Sequence, residues 1–144
     1  MKNRTFDLKS IEEDNQAIRM LHAFVRPLSK HPTLSEYLNG ILADKHLKAP
    51  DVYHRAGLDR QIFNRIIQVG RTTRSSKRTL MQVAIGIYAS EQEANELLAT
   101  CGYTFELSSK EDQAFMFCIL NGYYDMYNVY EAMELLDKDP LQAS

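Results

Sequence analysis

The sequence predicts an all-α protein, and three observations carry that expectation. Apolar residues recur at intervals of three and four along most of the chain, the period of a helix face and not of a strand. Most of these stretches open on a Ser, Thr or Asp placed to cap a helix, and several close on a glycine. The one run with a strand-like look, Tyr103 to Leu107, reads as an extended linker between helices.

Taken in order, Ser10 and Glu13 form a capping-box pair, and Ala17, Leu21, Phe24 and Leu28 follow at helical spacing until Pro27 and Pro32 interrupt. This predicts an N-terminal helix over about residues 11–26. Its apolar stripe has two possible seats, the chain's own core or a second copy of the chain. Thr33 then caps a helix with Leu34, Leu38, Ile41 and Leu42 on its inner face. Two short helices follow around Ala56, Gly57 and Leu58. Gly57 supplies the positive φ of a sharp turn and Asp59 caps the second helix. Val52, Leu58, Phe63 and Ile66 point inward, which leaves Arg60, Gln61, Asn64, Arg65 and Gln68 outward.

Beyond a basic loop, Leu80, Val83, Ala84, Ile87 and Tyr88 repeat the amphipathic spacing. Ser90 and Glu93 make another capping box for a helix with Ala94, Leu97, Leu98 and Cys101 inward, closed by Gly102. Ser108 and Glu111 cap a helix containing Phe115, Cys118 and Ile119 that ends at Asn121 and Gly122. A last helix, from about Met126, carries Val129, Met133 and Leu136. No internal repeat or low-complexity segment is evident.

The 144 residues suit one domain of ordinary size. The formal charge of −2 hides a division along the chain. Residues 45–78 hold nine cations (Lys45, Lys48, Arg55, Arg60, Arg65, Arg71, Arg74, Lys77, Arg78) against Asp51 and Asp59, a net of +7, whereas residues 79–144 hold two basic and eleven acidic side chains, a net of −9. Such segregation favours a polyanion-facing surface with an acidic face held away from it.

Enzymatic and metal chemistry find no foothold. Cys101 and Cys118 form no C-x-x-C pair and the four histidines are scattered, so the cysteines read as buried free thiols of a reducing cytoplasm, with no metal site. There is no phosphate-binding loop, no G-x-G-x-x-G, no H-E-x-x-H and no nucleophile elbow. Neither a catalytic residue nor a cofactor is expected. No run approaches the ~20 apolar residues of a membrane span, and no secretory h-region is present, so the expected location is cytoplasmic. Tyr123, Tyr124, Tyr127 and Tyr130 read as core or subunit interface in preference to a cofactor pocket.

Ala49 to Leu98 resembles the lambda-repressor-like (Cro/repressor, XRE) helix-turn-helix family. The longer run from Leu34 to Leu136 resembles a bacterial variant with extra C-terminal helices, in the stretches SEYL, DVYHRAGLDRQIF, SSKRTL, CGYTFELSSK and NGYYDMYNVYEAM. Two details depart from the family pattern: Val69 precedes Gly70 after the second helix, and Ser75-Ser76 stands where many members have Pro-Ser. The resemblance implies a five-helix helix-turn-helix unit over residues 33–102, with an N-terminal helical extension at 1–32 and a C-terminal one at 103–144, packed as one compact domain. It further implies sequence-specific binding of double-stranded DNA, most simply as a transcriptional regulator, with the helix from Asp59 to Gln68 in the major groove. By carry-over, Arg60, Gln61 and Asn64 face bases, and Arg65, Gln68, Arg71, Arg74, Lys77 and Arg78 hold phosphates. The bound form is expected to be a homodimer, with contact in the N-terminal helix or the tyrosine-rich tail. A different class also fits: a protein-interaction module, antitoxin-like or a defence-associated adaptor, whose acidic C-terminal part binds a basic protein partner.

Overall fold

A computed structural model bears out the all-α expectation: among the described residues, 15–25, 32–70 and 74–138, regular structure consists of eight helices and no strand. In chain order these are α1 (Asn15–Phe24), α2 (Leu34–Asp44), α3 (Ala49–Ala56), α4 (Arg60–Ile67), α5 (Lys77–Gly86), α6 (Glu91–Ala99), α7 (Lys110–Asn121) and α8 (Met126–Lys138). The chain divides into two compact units, Met1–His31 and Pro32–Ser144. In the first, α1 falls within the predicted N-terminal helix; Ser10, Glu13 and Leu28 lie outside the described residues.

The second unit is built around α5. Seven consecutive residues, Leu80 to Gly86, are buried, which marks a helix covered on all sides instead of one lying on a surface. Helices α3, α6 and α7 all pack on it. Within that run Gln82 is the polar residue, and its amide is satisfied by donating to the Ala56 carbonyl at 3.0 Å. Gly86 makes the close approach of α3 possible, since a Cβ there would lie 2.6 Å from the Val52 carbonyl oxygen and 3.1 Å from the Ala56 methyl. Arg55 closes the same contact by donating from Nε (3.0 Å) and Nη2 (2.6 Å) to the Gly86 carbonyl.

Two local expectations shift. Tyr88 does not continue the inner face of α5: the helix ends at Gly86, and Tyr88 takes a left-handed φ of 53° with its ring partly exposed. The carbonyls of Ile87 and Tyr88 instead receive the Lys45 ammonium, each at 3.0 Å. The tyrosine ring lies under the Arg55 guanidinium at 3.9 Å and edge-on to Tyr124. The cap of α7 moves by one residue, from Ser108 and Glu111 to Ser109 and Asp112, because Asp112 also accepts the Glu106 backbone N–H at 2.6 Å. Thr33 on α2, Asp59 on α4 and the Ser90–Glu93 box on α6 cap as expected. Cys118 is buried and Cys101 half-buried, both as free thiols, and burial pushes the Cys118 thiol above its ordinary value.

A repeat that the sequence conceals is plain in the structure. The ends of α5 and α7, Gly86 and Asn121, are 35 residues apart, and so are the starts of α6 and α8, Glu91 and Met126. At the same offset, buried Leu80, Val83, Ala84 and Ala94 correspond to buried Phe115, Cys118, Ile119 and Val129. Each pair, α5 with α6 and α7 with α8, packs together across a connection of equal length. The unit thus contains two successive helix pairs of like layout, whose matching inward positions share burial but not side-chain size.

Candidate nucleic-acid interface

The outward side of α4 is set by what holds its other side. Gly57, at φ 67°, caps α3 in the left-handed region, and the Leu58 N–H returns to the Tyr53 carbonyl at 2.9 Å. Two residues on, the Asp59 carboxylate accepts the Gln61 N–H at 2.7 Å, which satisfies one of the unpaired donors at the start of α4. Phe63 and Ile66 are buried. At the far end Asn39 donates from its amide to the Ile67 carbonyl and to the Ser35 carbonyl, both at 2.8 Å, which ties α4 to α2.

With those anchors in place, Arg60, Gln61, Asn64, Arg65 and Gln68 are all exposed, gathered on α4 and its cap. Gln61, Asn64, Arg65 and Gln68 are spaced i, i+3, i+4, i+7 and so share one stripe. The helix is one residue shorter at each end than the span Asp59 to Gln68, whose end residues are its caps. Ile62 is also exposed, at 41%. Periodicity overlooks it because it is an apolar residue off the inner stripe, and that break in pattern was the available signal.

The residues of the basic loop fare differently. Arg71 lies outside the described residues. Arg74 is exposed, with its guanidinium 4.9 Å from the centre of the Tyr103 ring, a cation–π contact that leaves the charge accessible. Tyr103 in turn donates its hydroxyl to the Ser75 carbonyl at 3.0 Å, so the loop is docked on the linker before α7. Arg78 faces Glu111 at 3.6 Å with both side chains substantially exposed, a pair that contributes about 0–1 kcal/mol and exchanges readily. Lys77 is the exception. Its ammonium, 19% exposed, pairs with the 5%-exposed carboxylate of Asp112 and lies 3.5 Å from Glu106. Burial alone depresses an ammonium, but the hydrogen bond and charge of Asp112, with Glu106, outweigh it and hold Lys77 above its ordinary value.

The division of charge along the chain therefore does not become a division in space. Of the cations counted between Lys45 and Arg78, Lys45 is bound to Glu93 at 2.8 Å and to two carbonyls, Arg55 to Gly86, Lys77 to Asp112, and Arg78 to Glu111. The acidic residues are not held on an opposite face; several lie against the basic segment and neutralise part of it. Lys48, Arg60, Arg65 and Arg74 make no ion pair among the described residues, and all four are exposed. Net charge by segment could not reveal this, because it treats every charge as solvated. Comparison with protein-family models, with curated protein sequences and with solved structures gave no match. No described helix is long and apolar enough to cross a membrane.

Proposed function

We propose that the chain is a sequence-specific DNA-binding protein, most simply a cytoplasmic transcriptional regulator, in which α3 and α4 act as a lambda-repressor-like helix-turn-helix and α4 enters the major groove. The observation that carries this reading is the outward stripe of α4: amide and guanidinium side chains on a short helix that is capped at its start and anchored at its end. Such rigid support is what direct readout needs. Gln61 and Asn64 suit adenine, Arg60 suits guanine, and Ile62 offers an apolar surface for a thymine methyl group. Arg65, Gln68, Arg74 and Arg78, with Arg71, are the phosphate ligands of this reading; Lys77, held by Asp112, is reassigned to structure. A homodimer on a palindromic site remains part of the proposal, since two half-sites double the readout of one short helix.

A second reading, a protein-interaction module on the same fold, is favoured by one observation, the internal pairing of Lys45, Arg55, Lys77 and Arg78. Titration of the intact protein with random and genomic duplex fragments at several salt concentrations separates the two. DNA recognition gives a preferred subset of fragments and an affinity that falls with salt at a slope of about −0.9 per phosphate contact. Absence of saturable binding at low salt would transfer the assignment to the interaction module.

A further inference from the structure

We propose that Tyr103 is a positioning residue of the basic loop, whose ring and hydroxyl hold Arg74 ready for a DNA phosphate. This rests on the DNA-binding reading and adds to it a residue that acts through Arg74. The phosphate-binding surface then depends on the chain beyond the helix-turn-helix unit at residues 33–102.

The platform is fixed on the core side first. Gly102, at φ 79°, ends α6 with a paired closure: its own N–H returns to the Ala99 carbonyl and the Tyr103 N–H to the Leu98 carbonyl, both at 3.0 Å. Leu98 is buried, so the backbone of Tyr103 is tied to the core. Three residues on, the Glu106 N–H is held at 2.6 Å by Asp112, the carboxylate that also pairs with Lys77 of α5. The linker is thus secured at both ends, and the half-buried Tyr103 ring packs against the core between them.

From that platform the side chain engages two successive residues of the loop. Its hydroxyl donates to the Ser75 carbonyl at 3.0 Å, and the Arg74 guanidinium lies over its ring at 4.9 Å. Ser76, next in the chain, caps α5 by accepting the Thr79 N–H at 3.2 Å, so Arg74 is followed by two residues of fixed position. Lys48, Arg60, Arg65 and Arg74 are the exposed cations of the basic segment that make no ion pair among the described residues, and Arg74 is the one of them with an aromatic ring beneath it. The kind of support matters. Lys77 and Arg78 are matched by Asp112 and Glu111, and a carboxylate that steadies a cation also neutralises it. A neutral ring steadies it and leaves its charge and its planar fork of N–H donors for a phosphate. Holding the side chain beforehand also spares part of the rotamer entropy that an arginine loses when a partner immobilises it.

A double-mutant cycle between Tyr103 and Arg74 in the full chain tests this, read as affinity for a mixed-sequence duplex across a salt series. Tyr103→Leu is expected to weaken binding by about threefold or more and to lower the salt slope by up to about one contact. That loss should vanish when residue 74 is already Ala, whereas a purely structural role would lower affinity by the same factor in both backgrounds. Tyr103→Phe, which keeps the ring and removes only the bond to Ser75, should fall between Tyr103→Leu and the parent chain. Equal losses in the two backgrounds, or no loss with Tyr103→Leu, overturn the proposal and leave the DNA-binding reading standing. A parent chain that does not bind the duplex at low salt removes both. If melting curves show Tyr103→Leu unfolded at the assay temperature, the cycle with Tyr103→Phe decides: a loss confined to the chain that retains Arg74 supports the proposal, and an equal loss in both backgrounds, or none, overturns it.

Discussion

Lys77 and Asp112 occupy equivalent positions of the repeat, 35 residues apart, and form an ion pair that joins the first turns of α5 and α7. The same carboxylate accepts the Glu106 N–H at 2.6 Å and the Ser109 hydroxyl at 3.2 Å. Removing the cation leaves a buried carboxylate without its charge partner, so Lys77→Ala is expected to cost about 2–4 kcal/mol in urea unfolding, with some penalty relieved by those remaining donors. On DNA the salt slope should stay as it was, while Arg74→Ala lowers it by about one contact. A flattened slope with unchanged stability in Lys77→Ala would return that lysine to the phosphate ligands.

Gly86→Ala tests the helix crossing at the centre of the unit. The added methyl meets the Val52 backbone oxygen, which cannot move without shifting α3, and the expected loss is about 1–3 kcal/mol of folding stability. Asn121→Ala, at the equivalent but exposed place, should stay within about 0.5 kcal/mol. Equal effects in denaturant melts would contradict the difference drawn between the two faces.

Glu93 governs an acid limb. Burial alone would raise its carboxyl, but the Lys45 ammonium and the hydrogen bonds from Ser90 outweigh it and leave the group below its ordinary value. A depressed carboxyl contributes stability that is present above its unfolded value near 4.5 and is lost as pH falls through the folded value. Unfolding free energies measured between neutral pH and about pH 3 should fall less steeply in Glu93→Gln than in the parent chain. Parallel curves would assign the acid sensitivity to other groups.

Direct readout is tested at Gln61. Replacement by Ala should cost about 1–3 kcal/mol on the preferred duplex and little on random DNA. Melting should be unaffected, because the side chain is exposed and its backbone N–H, not its amide, engages Asp59. Equal losses on both DNAs would remove Gln61 from the base contacts.

Helix positions and caps were legible because their causes are local. A hydroxyl or carboxylate at a helix start, a glycine at its end and a three-to-four spacing act within one turn, and Thr33, Gly57, Asp59 and Ser90 are found as read. The repeat was illegible because few identities mark it, and Leu80 with Phe115 or Val83 with Cys118 share burial without sharing identity. The partners of the cations were hidden for a related reason. Lys45 meets Glu93 and Lys77 meets Asp112 across dozens of residues, and only the packing of α2 on α6 and of α7 on α5 brings them together. Exposure of the α4 stripe followed from Phe63 and Ile66 alone, which is why that part of the site could be read directly.

The enclosure of α5 from Leu80 to Gly86 also sets how the second unit opens. Beyond its exposed first turn, this helix is covered by α3, α6 and α7, so the amide protons of the buried run reach water only when the surrounding helices separate. Hydrogen exchange along Leu80 to Gly86 should therefore proceed at the rate of whole-unit opening and serve as an internal clock against which the faster exchange of α4, packed on one side only, can be timed.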